Sequence, residues 1–230
     1  MKALTRRRFL SVVPAAAAAP SLLRFAAWTS APGRKLHVDV CIYGGTSGGV
    51  IAAIALARLG RSVAIVEPTR HLGGMTTGGI GWVDVKYGGL RAFGGITGEY
   101  YRRVREYYAA KDIDVARFGN DGAVAEPHVA ETVLEQMIRE QAKHITIFRE
   151  SRLGSVRKVG RRIRVITLDK APVDRRGAPA PTAAERAWVS ISAPIFIDAS
   201  YEGDLLAAAG VSRRDDRESS REYGESYAGI

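Results

Sequence analysis

The chain has 230 residues, of which 46% are hydrophobic and 25% charged, so it holds enough apolar material for one large globular domain or two small ones. The formal net charge is +10, but the cations after the N-terminal region are mostly scattered and no nucleic-acid-binding motif accompanies them, which argues against a nucleic-acid partner. A single cysteine, Cys41, excludes an intramolecular disulfide and a Cys-rich metal site, and we predict no metal.

The first 31 residues have the features of an export signal. Thr5–Leu10 (Thr-Arg-Arg-Arg-Phe-Leu) fits the twin-arginine pattern, and an Ala-rich apolar stretch follows it up to Leu23. This stretch is too short for a membrane span and contains two prolines, so we expect no stable membrane anchor. We predict a twin-arginine signal peptide over residues 1–31, cleaved near Ala31, with the twin-arginine export machinery as a partner and a periplasmic or secreted location. The alternative is a basic, disordered N-terminus.

The part of the chain that follows has the order of a dinucleotide-binding βαβ unit. His37–Tyr43 is a short β-branched run that predicts a buried strand, and it leads into the glycine-rich turn Gly44–Gly49. An apolar helix is expected over Val50–Leu59, and Ser62–Val66 predicts a second strand that ends at Glu67. This order of strand, glycine turn, helix, strand and acid indicates a nucleotide-binding site. A glycine-rich turn in an unrelated α/β protein is the alternative.

The chemistry of a dinucleotide explains these residue types. A pyrophosphate needs backbone N–H donors and the positive end of a helix dipole. Gly44 permits a tight turn, Gly49 lets the helix lie close to the strand, and Glu67 is expected to accept hydrogen bonds from the adenosine ribose. Thr46 replaces the usual middle glycine, and its hydroxyl could bind a phosphate instead. The cofactor-binding residues predicted in this turn are Gly44, Gly45, Thr46, Ser47, Gly48 and Gly49.

A second glycine-rich segment, His71–Gly79, favours FAD over NAD. A nicotinamide dehydrogenase would normally run from Glu67 into another helix and strand, whereas these glycines free the backbone to wrap around a ligand. Together with Tyr43–Gly49 and Glu67-Pro68, the segment resembles the FAD-dependent oxidoreductases of bacterial secreted and periplasmic type, which relate to the glutathione-reductase-like flavoproteins. Thr46 is normal in that family. The resemblance implies that Gly73–Gly79 run beside the FAD pyrophosphate and flavin ring. Within this range the predicted cofactor-binding residues are Gly73, Gly74, Met75 and Thr76.

The rest of the chain is expected to complete an α/β fold. Helices are predicted over residues 98–111 and from Pro127, with Ile145–Phe148 as a third parallel strand. Ser155–Val159 and Arg162–Leu168 predict a hairpin, and residues 170–186 a surface loop.

The family resemblance also assigns residues in the second half of the chain. It implies that the backbone near Leu153 lies against the adenine. Ala193–Leu205 resembles the strand, tight turn and helix that close the cofactor domain, which places Asp198 and Ala199 at the cofactor.

Other conspicuous side chains are expected to be mainly structural. The four tyrosines between residues 100 and 108 fall on both faces of their helix, which predicts core and surface positions. Cys41 lies inside the first strand and predicts an inert buried thiol. His71 differs because it adjoins the second glycine-rich segment. A catalytic role is therefore an alternative for His71, although a structural role is favoured.

These features predict an α/β, Rossmann-like FAD-binding domain over residues 32–230, with a central parallel sheet and an added β-meander. The C-terminal residues do not resemble a terminus, so we expect an N-terminal part of a longer flavoprotein that lacks the substrate region. The predicted function is FAD-dependent hydride transfer between a small-molecule substrate and the flavin. An NAD(P)-dependent dehydrogenase and a truncated, non-catalytic flavin-binding module are the alternatives.

Overall fold

The structure, a computed structural model, describes residues 33–80, 93–118, 123–175, 177–214 and 218–227. The predicted signal peptide lies outside these described residues. Within the described ranges, no helix has both the length and the apolar character needed to cross a membrane.

A parallel sheet forms the centre of the fold. Among the described residues it has four strands in the order β4-β3-β2-β8. Their bounds are β2 Val40–Tyr43, β3 Val63–Val66, β4 Ile145–Phe148 and β8 Ile195–Asp198. Every residue of β2 and β3 is buried, as expected for β-branched runs in a sheet that is covered on both faces. The predicted central parallel sheet, including its third strand, is confirmed.

Three helices pack together against one side of this sheet. They are α1 Ser47–Arg58, α2 Gly95–Ala109 and α3 Pro127–Arg139. The apolar positions predicted for α3 are all buried: Val129, Val133, Leu134, Met137 and Ile138. Helices α1 and α2 each begin three residues before their predicted starts. In α1 the three added residues are Ser47, Gly48 and Gly49, which join the helix before its apolar run begins. Two short helices, α4 Asp204–Ala208 and α5 Ser220–Tyr223, follow later in the chain.

A second, mixed sheet covers the opposite side. Its order is β1-β7-β6-β5, with bounds β1 Arg34–His37, β5 Ser151–Val159, β6 Arg162–Lys170 and β7 Glu185–Ser192. Strands β5, β6 and β7 form the predicted antiparallel meander. Its Ile166 and Leu168 share a hydrophobic cluster with Cys41 and Val66 of the parallel sheet. Burial raises the pKa of the Cys41 thiol to about 12, which agrees with the predicted inert thiol.

The strand predicted over His37–Tyr43 is confirmed over Val40–Tyr43, but its predicted start is wrong, because the structure divides this run between the two sheets. His37 ends β1, which pairs in parallel with β7, and β2 begins only at Val40. At the crossing, Asp39 Oδ2 accepts hydrogen bonds from the N–H and the hydroxyl of Ser62, both at 2.8 Å. These bonds lower the pKa of Asp39 and fix the crossing beside β3.

Ion pairs connect the three large helices. Glu99 of α2 accepts hydrogen bonds from Arg58 of α1 and from Arg103, and Arg103 also pairs with Glu140 beyond the end of α3. The hydrogen bond from Arg58 is the largest cause that lowers the pKa of Glu99, from 4.5 to about 2. These charges hold the helix that follows the glycine-rich segment against α1 and α3.

The tyrosines of α2 lie mostly in the core. Tyr100, Tyr101 and Tyr108 are buried, and only Tyr107 is half-buried. The prediction placed these tyrosines in both the core and the surface, whereas three of the four lie in the core and none is fully exposed.

Candidate functional site

The glycine turn after β2 brings the N-terminus of α1 against the strand. Gly44 has a φ of +103°, a conformation that glycine adopts without strain. A Cβ on Gly49 would lie 2.1 Å from the Gly44 carbonyl oxygen, so a larger residue would push α1 away from the strand. The structure thus supports the predicted structural roles of both glycines.

Thr46 caps this helix with its side chain. Its Oγ1 accepts a hydrogen bond from the Gly49 N–H at 3.3 Å and donates one to the Ala199 carbonyl at 2.9 Å. The hydroxyl therefore donates to Ala199 in this structure, and the predicted contact of Thr46 with the cofactor stays a prediction. Ser47 and Gly48 form the first turn of α1, where N–H groups lack intrahelical acceptors.

Glu67 lies at the carboxyl end of β3, and its carboxylate is directed at the backbone of the site. The residue is only 8% exposed. Oε2 accepts a hydrogen bond from the Gly45 N–H and Oε1 accepts one from the Thr69 N–H, each at 2.8 Å. A carboxylate has about four acceptor positions, so two remain for hydroxyls of a ligand. The βαβ pattern predicted the acid and its ribose role but not these backbone contacts.

The second glycine-rich segment is bonded directly to the glycine turn. The Gly73 N–H donates to the Gly45 carbonyl at 2.7 Å, and a short 3-10 helix follows over Gly74–Thr76. The Met75 N–H donates to the Tyr201 hydroxyl at 2.7 Å, which joins the segment to the turn after β8. These bonds place the predicted residues Gly73, Gly74, Met75 and Thr76 beside the first turn of α1.

Glu131 of α3 anchors the start of this segment. Its carboxylate accepts a hydrogen bond from the Leu72 N–H at 3.0 Å and contacts His71 Nδ1 at 2.8 Å. Nothing in the spacing of the sequence indicates Glu131, because it lies 60 positions from His71 on another element. His71 remains largely exposed and serves in this contact. A catalytic role, which the sequence favours less than a structural one, is not tested by these contacts.

The turn after β8 completes the same edge of the sheet. The Ala199 N–H donates to the Tyr43 carbonyl at 2.7 Å. Asp198 accepts hydrogen bonds from Ser200 in the same turn and from the Leu206 N–H of α4. Asp198 therefore shapes this turn with its side chain. Its predicted contact with the cofactor stays a prediction.

Tyr43 connects Leu153 to this edge. The Leu153 N–H donates to the Tyr43 hydroxyl at 3.2 Å. Burial raises the pKa of Tyr43 to about 12, so the phenol stays protonated. Leu153 therefore lies near the end of β2, on the side of the meander.

The predicted site residues thus converge on one edge of the parallel sheet. Gly44–Gly49 and Gly73–Thr76 contact each other, and Asp198 and Ala199 adjoin them through β8 and Thr46. In open α/β sheets a ligand binds at the carboxyl ends of the strands. The helix N-terminus, the close approach at Gly49 and the buried acid fit a dinucleotide cofactor. In the described part of the chain, no group of three or more His, Cys, Asp or Glu residues is placed to hold a metal ion.

Comparisons with known proteins agree with this arrangement. The model of a family described as FAD dependent oxidoreductase matches residues 39–229. No curated protein matches the chain.

The chain is also similar to solved structures, at low identity. L-proline dehydrogenase from P. horikoshii has 17% identity and a TM-score of 0.40, over 73% of this chain and 23% of that chain. L-amino acid deaminase from Proteus vulgaris has 14% identity and a TM-score of 0.43, over 74% of this chain and 48% of that chain. p-Nitrophenol 4-monooxygenase PnpA from Pseudomonas putida DLL-E4 has 12% identity and a TM-score of 0.48, over 80% of this chain and 46% of that chain. The chain therefore spans less than half the length of each of these proteins.

Proposed function

This chain belongs to the FAD dependent oxidoreductase family, and we propose that its described residues bind the adenosine and diphosphate parts of FAD for redox chemistry on a small-molecule substrate. The observation that carries the proposal is one edge of the sheet where the first turn of α1, the buried Glu67 carboxylate and the glycine-rich segment meet. When bound, FAD supplies a hydride donor and acceptor.

Each group at this edge has a role that suits part of the cofactor. The N–H groups at the start of α1 bind the diphosphate, because the helix dipole favours negative charge there. Glu67 accepts hydrogen bonds from the ribose hydroxyls through its remaining acceptor positions. The backbone near Leu153 lies against the adenine, and Gly73–Thr76 orient the diphosphate and the flavin.

The second glycine-rich segment favours FAD over a nicotinamide cofactor. The chain does not run from Glu67 directly into a helix, as it would in a nicotinamide dehydrogenase, but first returns to the glycine turn through the hydrogen bond from the Gly73 N–H to the Gly45 carbonyl. Titration of the purified full-length chain with FAD and with NAD(P) tests this. We expect saturable FAD binding, detected by a change in flavin fluorescence, and no comparable NAD(P) binding. NAD(P) binding in the absence of FAD binding would contradict the proposal.

We further propose that the chain is of the secreted or periplasmic type, within the glutathione-reductase-like group, and is exported by the twin-arginine route. The support is the Thr5–Leu10 motif with the apolar stretch after it. Changing both Arg6 and Arg7 to Lys should hold the precursor in the cytoplasm. Arg8→Lys is the matched control, because Arg8 occupies the position of the motif that accepts any residue. Export of the double variant at the control level would contradict this proposal.

A further inference from the structure

A cavity of about 300 Å³ lies beside the N-terminus of α1, and Ser47 and Gly48 of the glycine turn contribute to its lining. Helices α1, α2 and α3 and the 3-10 helix Gly74–Thr76 surround it. Hydroxyl side chains dominate its polar lining, and none of the described residues that line it is charged. The hydroxyl groups of the lining include those of Ser47, Thr76, Thr97 and Tyr100, and Ile51 and Leu134 form an apolar wall.

Tyr100 is the most informative of these residues. Tyr100 is only 4% exposed. Its hydroxyl makes no hydrogen bond to any described residue, and the hydroxyl oxygen keeps some contact with solvent. The phenol therefore opens into the cavity that Tyr100 lines. Burial raises the pKa of this phenol above its ordinary value, and the neighbouring Tyr101 and Tyr108 add to the effect, so the group remains a hydrogen-bond donor. Because this hydroxyl is open to the cavity and has no partner among the described residues, it is available to hydrogen bond to a ligand there.

The first turn of α1 supplies a second set of groups to the same cavity. Gly48 lines the cavity, and α1 is 12 residues long. The helix cap satisfies the Gly49 N–H through Thr46, whereas the Gly48 N–H has no acceptor among the described residues. A phosphate at this helix N-terminus would therefore lie at one end of the cavity.

We propose that this cavity binds the ribityl chain of FAD, and that Tyr100 and Thr97 of α2 hydrogen bond to its hydroxyls. This inference rests on the proposed function. A polyol both donates and accepts hydrogen bonds, as the hydroxyls of the lining do, so the two match without any charge. A free carboxylate or phosphate is recognised more strongly by cations, which the described lining lacks. The ribityl chain is also attached to the phosphate, which suits a cavity that begins at Gly48.

Titrations of the full-length chain with FAD and with ADP test the assignment, because ADP lacks both the ribityl chain and the flavin. Tyr100→Phe and Thr97→Val remove one hydroxyl each and nearly preserve volume. We expect each variant to bind FAD roughly 3- to 10-fold more weakly, the range for one lost hydrogen bond, and to bind ADP as the wild type does. Tyr107→Phe is the matched control on the same helix, because the Tyr107 hydroxyl accepts from Lys111 Nζ and does not line the cavity.

The outcomes separate this inference from the function on which it rests. Unchanged FAD affinity in both cavity variants, while the wild type binds FAD, would overturn the cavity assignment alone. Equal losses for FAD and ADP in both variants would also overturn it, because the hydroxyls would then support the fold. A wild-type chain that binds ADP but not FAD would overturn the proposed function and the assignment together.

Discussion

Replacing Glu67 with glutamine tests whether this buried acid organises the nucleotide site before any ligand binds. In the wild type both carboxylate oxygens accept backbone N–H groups, from Gly45 and from Thr69, at 2.8 Å. A glutamine side chain would keep one oxygen and present an NH₂ group to the other donor. One charge-assisted hydrogen bond is lost, and a buried N–H loses its acceptor.

The expected magnitude follows from that single lost contact. A hydrogen bond to a charged group contributes about 1.5–3 kcal/mol, and Glu67 is too buried for water to replace it fully. We therefore expect Glu67→Gln to lower the free energy of unfolding of the cofactor-free chain by roughly 1.5–3 kcal/mol. FAD affinity should fall as well, because the same carboxylate is proposed to bind the ribose.

Urea unfolding followed by circular dichroism measures the first effect, and an FAD titration measures the second. Glu135→Gln is the control, since Glu135 makes only partly exposed ion pairs with Arg139 and Arg149. Such pairs contribute about 0–1 kcal/mol. Equal unfolding free energies for the wild type and Glu67→Gln would refute the reasoning, because the two backbone hydrogen bonds would then contribute nothing to the turn.

Three further predictions use other parts of the structure. Gly49→Ala should destabilise the chain by about 1–3 kcal/mol in urea unfolding, because its Cβ would meet the Gly44 carbonyl oxygen at 2.1 Å, whereas Gly48→Ala, with its nearest neighbour at 3.9 Å, should show no steric loss. The ion pairs of Glu99 should stabilise the chain fully above pH 4.5 and progressively less as pH falls towards 2; Glu99→Gln should remove this part of the pH dependence of unfolding. Cys41 should resist a thiol reagent at about pH 8 until urea unfolds the chain, and rapid labelling of the native chain would contradict its burial.

The sequence predicted the parts of the fold that local patterns control. The family match confirms the predicted family, the FAD-dependent oxidoreductases, and the structure confirms the α/β fold with its parallel sheet and meander. The strand at Ile145–Phe148 and the helix from Pro127 were predictable because short β-branched runs and helical apolar periodicity are local signals. The predicted site residues come together, while their contacts with FAD stay predictions.

The sequence could not predict features that depend on distant residues. The division of His37–Tyr43 between two sheets depends on pairing with β7, in which His37 lies opposite Ser192. Glu131 anchors Leu72 from another helix, and Tyr201 holds Met75 from the turn after β8. Tyr100 has the pattern of an ordinary core tyrosine in sequence, because only the packed helices reveal the cavity beside it.

The position of β8 in the parallel sheet has a consequence for synthesis of the chain. β8 pairs directly with β2, and the carbonyl of Ala199 completes the contacts of Thr46, although Thr46 leaves the ribosome 153 residues earlier. Until β8 arrives, one edge of β2 carries unpaired backbone groups that can pair with another chain. We therefore expect the nucleotide site to be complete only after Ala199 has been translated, and nascent chains that stall before this residue to expose this edge of β2.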